Sequence, residues 1–192
     1  MANTTLTDIA TELTQVATKL RNSTVKVQSG SLGVGSGVIW RSDGLIITNA
    51  HVAISDRPTI KLSDGRVFDA VRVKFDPQHD LAALKIVATD LTAATIGNSE
   101  ALRVGELVLA VGNPFGDSGA VTTGIIYANN PGMVVADLQL YPGNSGGPLA
   151  DCLGRVVGIN TMIANGLAVA VSTSTVDDFL QRNNENWAWG MG

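Results

Sequence analysis

Cysteine is almost absent: the 192-residue chain has only Cys152, so no internal disulfide can form and the fold must rest on its apolar core. The residues around Cys152 mark it as a buried or turn thiol and not as a nucleophile. Charge is also scarce, at 16% against 45% hydrophobic residues, which excludes a largely disordered chain. The 13 Lys and Arg against 17 Asp and Glu leave a net charge of -4, and nowhere do the basic residues cluster into a phosphate-binding face. Nucleic acid is therefore not an expected partner. With two histidines and one cysteine there is no metal-ligand cluster, so neither a metal nor a cofactor is expected. No apolar run is long enough to span a membrane. The first twenty residues, MANTTLTDIATELTQVATKL, lack a basic leader followed by an unbroken apolar stretch. No signal peptide is read, so a cytoplasmic location is expected, or an exported one if a leader has been removed.

What is abundant is glycine, 21 residues, set among short runs of Val, Ile and Leu. Leu6, Ile9, Leu13, Val16 and Leu20 recur at three- and four-residue steps and predict one amphipathic helix over residues 1–22. From Ser23 onward the rhythm changes to strands separated by Gly, Asp-Gly, Asn and Pro, the pattern of a barrel or sandwich. One group of six strands is expected at 24–28, 34–40, 45–48, 59–62, 67–75 and 81–87. A second is expected at 107–112, 121–128, 133–137, 147–150, 156–161 and 168–171. The unpatterned stretch 89–102 reads as the linker between them. The division is then 23–95 and 96–173, followed by 174–192, where Thr175 as cap ahead of Val176, Phe179 and Leu180 predicts a short closing helix. Trp187 and Trp189 in the tail are candidates for packing back on the surface or for an interface.

Gly143-Asn144-Ser145-Gly146-Gly147-Pro148 is the most informative segment. A serine hydroxyl is a poor nucleophile and needs a base within hydrogen-bond reach and donors for the oxyanion it creates. Glycines around it let the backbone turn sharply enough for the amides of Gly143 and Ser145 to converge on one oxygen. The plain alternative is an ordinary glycine-rich turn. His51, in Thr48-Asn49-Ala50-His51-Val52, follows an apolar strand and projects from its end. His79 is the competing base, but it lies in a Pro-containing turn, where a solvated surface histidine is expected. Asp80 opens the apolar strand Leu81 to Ile86, a rigid place from which a carboxylate can hold an imidazole tautomer. Asp76, four residues earlier, is its competitor and reads as a turn residue before Pro77.

Taken together, Gly35-Ser36-Gly37-Val38-Ile39, TNAHV, DLAALKI, GNPFG at 112–116, VTTGII at 121–126, ADLQLYPGNSGGPL at 137–149 and GRVVGINT at 154–161 resemble the HtrA (Deg) family of trypsin-like serine proteases. The resemblance runs from about Thr18 to Leu180. It implies an all-β, chymotrypsin-like double barrel of six strands each, with an N-terminal helix and a short C-terminal helix, and with His51, Asp80 and Ser145 in the cleft between the barrels. It also implies an oxyanion hole from the amides of Gly143 and Ser145, and backbone at Thr161, Met162 and Ile163 that receives an extended substrate strand. The walls of the primary specificity pocket then fall at Gln139, Leu140, Tyr141 and Pro142, at Thr161 to Ile163, and at Ala168, Val169 and Ala170.

Several features depart from the family pattern. The chain reaches Gly192 without the PDZ domains that typically follow, so substrate delivery by such a domain is expected to be absent. The first 39 residues have no Phe, Tyr or Trp, the residue types that often hold family trimers, and the oligomeric state stays open. The loop Asn129-Asn130-Pro131-Gly132 is close to a tight turn where relatives often carry longer regulatory loops. The function expected is an endopeptidase acting on unfolded or extended protein segments through an acyl-enzyme. The alternative is a peptide-binding module on a protease fold that no longer turns over, against which the unsubstituted triad speaks. An esterase is the third option, disfavoured because the serine lies in GNSGG and not in a strand-to-helix elbow.

Overall fold

The computed structural model describes residues 2–30, 33–113 and 119–182; Trp187, Trp189 and the second half of the GNPFG segment lie outside the described residues. Helix α1 (Ala2–Ser23) carries the expected apolar stripe. Its burial is graded along the helix: Leu20 is buried, Val16 packs part-buried beside it, and Ile9 is 49% exposed. The side chain of Leu6 lies outside the described residues. The C-terminal end of α1 is thus what docks it, and burying a leucine of this kind contributes about 2 kcal/mol.

Strands β1 (Thr24–Ser29), β2 (Gly33–Arg41), β3 (Leu45–Thr48), β4 (Thr59–Lys61), β5 (Val67–Asp69), β6 (Val71–Asp76) and β7 (Leu81–Lys85) form one sheet in the order β5-β4-β1-β2-β3-β7-β6. The single strand expected over 67–75 is a bent pair. Ala70, buried at the corner between β5 and β6, donates its N–H to Pro58 O at 2.9 Å. Because β5 and β6 lie at opposite ends of the sheet order and are consecutive in the chain, this corner brings the sheet round on itself.

Strands β8 (Thr95–Ile96), β9 (Leu107–Gly112), β10 (Ala120–Asn130), β11 (Met133–Asp137), β12 (Pro148–Asp151), β13 (Arg155–Ala164) and β14 (Leu167–Ser172) make the second sheet. Its order is β12-β9-β10-β11-β14-β13-β8, and a further β12–β13 pairing closes six of these strands into a barrel. The stretch expected to be a bare linker contributes β8, which pairs in parallel with Arg155 and Val156, and a 3-10 turn at Ser99–Ala101. Strands β10 and β11 are joined through Pro131-Gly132 alone, since Asn130 pairs with Met133.

Each barrel fills its own interior, and a third cluster lies between them. Val38, Ile47 and Leu81 from the first sheet meet Leu109, Val111 and Ile159 from the second, together with Leu20 of α1 and Val176 and Phe179 of α2 (Thr173–Gln181). Both helices therefore close over the seam between the barrels. The N-cap of α2 is Ser172, whose Oγ accepts the N–H of Thr175 at 3.3 Å, so the cap lies three residues before the Thr175 expected to supply it. Cys152 sits exposed in the turn between β12 and β13. Among the described residues no helix is long and apolar enough to cross a membrane.

Candidate active site

Three segments meet at the seam. The first follows β3: Asn49, fully buried, accepts the N–H groups of Val52 and Ala53 on its backbone oxygen (3.2 and 3.1 Å), and this turn carries His51 outward so that its side chain is half exposed. The second is the turn before β7. Asp80 has φ 52°, a left-handed conformation that few non-glycine residues tolerate and that Asp adopts more readily than most. It is held there by Asn49, whose Nδ2 donates to Asp80 O at 2.9 Å.

This placement brings the carboxylate under the imidazole. His51 Nδ1 lies 2.9 Å from Asp80 Oδ1 and 2.8 Å from Oδ2, and the His51 N–H donates to Oδ1 at 3.1 Å. With Nδ1–H donating to the carboxylate, Nε2 is left as the acceptor of the neutral ring. Burial pushes the Asp80 carboxyl up, but the hydrogen bonds from the His51 ring, the Thr161 hydroxyl and the His51 N–H together outweigh it and hold the group below its ordinary value.

The Thr161 contact comes from an irregularity in β13. Asn160 pairs with Ala170 and Met162 with Val169, so Thr161 is the extra residue of a β-bulge. A bulge re-aims a side chain, and here the buried Thr161 hydroxyl donates to Asp80 Oδ2.

The third segment is the loop between β11 and β12 that carries Ser145. Gly143 has φ 105° and Gly146 φ 85°, a region open to glycine. At Gly146 a Cβ would also stand 2.0 Å from Ser36 O. Within this loop the N–H groups of Asn144, Gly146 and Gly147 are used by Tyr141 O, Asn160 O and Asn144 O, at 2.9, 2.8 and 3.0 Å. Those of Gly143 and Ser145 donate to nothing among the described residues. Ser145 Oγ donates to Thr161 O at 3.1 Å, and no hydrogen bond joins it to His51.

The competing pair lies elsewhere. His79 Nδ1 is 2.7 Å from Asp76 Oδ2, and Arg182 reaches the same oxygen at 3.3 Å, so His79 is a part-buried, paired residue and not the solvated one expected from its turn. Burial raises the Asp76 carboxyl, and the His79 ring and N–H bonds bring it below its ordinary value. Of the expected pocket walls, Leu140, Thr161, Ala168, Val169 and Ala170 are buried, whereas Gln139, Tyr141, Pro142, Met162 and Ile163 are exposed. A cavity of about 270 Å³ opens beside Asp80 and Thr161, edged by Met133, Met162 and Val171. Sequence reasoning missed the Thr161 hydroxyl, having taken that residue for its backbone, and it missed Ser36, which binds the serine loop from the other barrel. A glycine-flanked serine within an apolar strand was the one available signal for Ser36.

A pair of β-barrels with a serine loop and a His-Asp pair at their seam defines the trypsin-like class of serine peptidase folds. Comparison with known proteins agrees, since the family model for the trypsin-like peptidase domain matches residues 35–159. This chain belongs to that family. A probable periplasmic serine endoprotease, DegP-like, of Pseudomonas fulva is 41% identical over 151 residues, 71% of this chain and 32% of that protein. One of the same description from Halomonas elongata is 44% identical over 130 residues, 63% of this chain and 27% of that protein. Among solved structures, the HtrA-type protease AlgW with tripeptide has a TM-score of 0.82 at 35% identity, covering 88% of this chain and 62% of that one. The serine endoprotease from Yersinia pestis has the same TM-score at 34% identity, covering 88% and 65%. The chain thus spans between about a quarter and a third of the length of the curated relatives it matches.

Proposed function

We propose that the chain is a serine endopeptidase that hydrolyses peptide bonds in unfolded or extended polypeptide through an acyl-enzyme. The observation that carries this is the pattern of used and unused amides around Ser145: the N–H groups of Asn144, Gly146 and Gly147 are bonded, whereas those of Gly143 and Ser145 have no acceptor among the described residues. Two free backbone donors beside a nucleophile form an electrostatic site for an oxyanion. The His51–Asp80 pair supplies the remaining chemistry.

In the proposed cycle the Ser145 hydroxyl turns from Thr161 O to His51 Nε2 and attacks the scissile carbonyl as the ring takes its proton. The carbonyl oxygen becomes an oxyanion on the Gly143 and Ser145 amides, and Asp80 stabilises the imidazolium. The proton then passes to the leaving amine, and water repeats the sequence on the acyl-enzyme. The substrate lies as an added strand along Thr161, Met162 and Ile163; exposure of Met162 (53%) and Ile163 (55%) supports an accessible edge there.

Gln139 to Pro142, Thr161 to Ile163 and Ala168 to Ala170 carry no charge, so a Lys or Arg side chain would be desolvated there without a carboxylate partner. Leu140, Ala168 and Ala170 already pack together in one buried cluster, which supports a narrow pocket fitted to Ala and Val. The periplasmic names of the relatives favour the exported location over the cytoplasmic one. The test is incubation of the wild-type protein and Ser145→Ala with casein: cleavage by the first alone supports the reading, and equal cleavage by both overturns it.

A further inference from the structure

We propose that Ser36 is a positioning residue for the oxyanion site, an inference that rests on the peptidase reading above. Ser36 is completely buried on β2, in the barrel opposite the one that carries the serine loop. Its hydroxyl donates to Gly143 O at 2.7 Å, and its N–H donates to Ser145 O at 2.8 Å. Both are residues whose own amides have no acceptor among the described residues. One residue of the first barrel therefore holds both oxyanion donors by their carbonyls.

The hydroxyl is itself fixed. It accepts the N–H of Asn113 at 2.9 Å and Asn113 Nδ2 at 3.0 Å, while Nδ2 also donates to Val25 O at 3.0 Å and Asn113 Oδ1 accepts the Gly119 N–H at 3.3 Å. The Ser36 carbonyl is fixed as well, accepting the Thr48 hydroxyl at 2.6 Å. Gly143 has no side chain to restrain it, and a grip on its carbonyl limits the rotation about φ and ψ by which its N–H could turn away. Apart from Ser36, the only grip among the described residues is the Asn113 N–H at 3.4 Å. Preorganised donors act catalytically because they need no reorientation as charge develops, and this network supplies that rigidity. It also gives Asn113, in the GNPFG segment, a place in the site.

The experiment compares Ser36→Ala with the wild type, using kcat and KM on a peptide substrate and the Kd of the matching peptide boronic acid, whose boron-bound oxygen occupies the oxyanion position once it bonds Ser145. The folded variant should lose about tenfold in kcat, with KM within about twofold, and bind the boronate about tenfold more weakly. Binding of the uncleaved substrate peptide, measured in a Ser145→Ala background, should be unchanged. A folded Ser36→Ala with wild-type kcat and boronate affinity overturns the proposal, as does an equal weakening of boronate and substrate. If Ser36→Ala does not fold, Asn113→Ala serves, because it keeps the hydroxyl and removes its side-chain anchor. It should lose about threefold in the same two quantities, and no loss would overturn the proposal. A wild-type protein that neither cleaves nor binds the boronate refutes the peptidase reading instead.

Discussion

Thr161 donates its hydroxyl to the same Oδ2 of Asp80 that receives Nδ1 of His51. The carboxylate is therefore gripped by both barrels, from the turn that bears His51 and from the bulge in β13. The same Thr161 accepts the Ser145 hydroxyl on its carbonyl, so one residue touches two members of the proposed triad.

Thr161→Val keeps the carbonyl and the volume and removes only the donor. Asp80 would then lose one of the bonds that offset its burial, and its carboxyl should move up toward the ordinary value. We expect kcat to fall about tenfold with KM little changed, a loss of about 1.4 kcal/mol in transition-state stabilisation. Steady-state kinetics with Thr161→Ser, which restores the hydroxyl, checks the assignment. A fall that Thr161→Ser fails to rescue would make the effect one of packing.

The depressed Asp80 carboxyl also has a stability consequence. A carboxylate whose folded pKa lies below its unfolded value favours the native state fully above the unfolded value and loses that contribution as pH falls through the folded one. With an ordinary value of 3.8, wild type should be more stable than Asp80→Asn above about pH 5, and the gap should close below about pH 4. Urea denaturation across that range measures it. A gap independent of pH would show that the carboxylate's charge is not what stabilises.

Specificity should follow the packing of Leu140, Ala168 and Ala170. A cut-site map should show Ala and Val on the acyl side, with Leu or Met tolerated, and Ala168→Gly should extend acceptance to larger side chains. The discrimination will be modest, because a methylene in an apolar pocket is worth about 1–3 kcal/mol. A map dominated by Lys, Arg or Phe would contradict this placement of the pocket.

What was legible in the sequence follows from which signals are local. Short runs of Val, Ile and Leu with glycine punctuation marked the long strands, since β2 and β9 are buried on both faces along most of their length. Ser145 was visible because its neighbours had to be glycine, and Asp80 because it abuts the apolar strand Leu81–Lys85. The rest is tertiary. β8 is two residues long and exists through its parallel pairing with Arg155 and Val156, which leaves no periodic trace. The corner at Ala70 is hidden because alternation continues across it. The hydroxyls of Thr161 and Ser36 acquire roles only from a bulge and from the other barrel. His79 reads as a surface residue until Asp76 and Arg182 are seen around it.

In the proposed mechanism Ser145 is a nucleophile activated by His51 and not by His79. Labelling with a fluorophosphonate, read by peptide mass spectrometry, separates the two candidate bases. Wild type and His79→Ala should take one label, on Ser145, at similar rates, whereas His51→Ala should label more slowly by about four orders of magnitude. Labelling of Ser145 that survives in His51→Ala and is lost in His79→Ala, or a label carried on any other residue, would contradict the account.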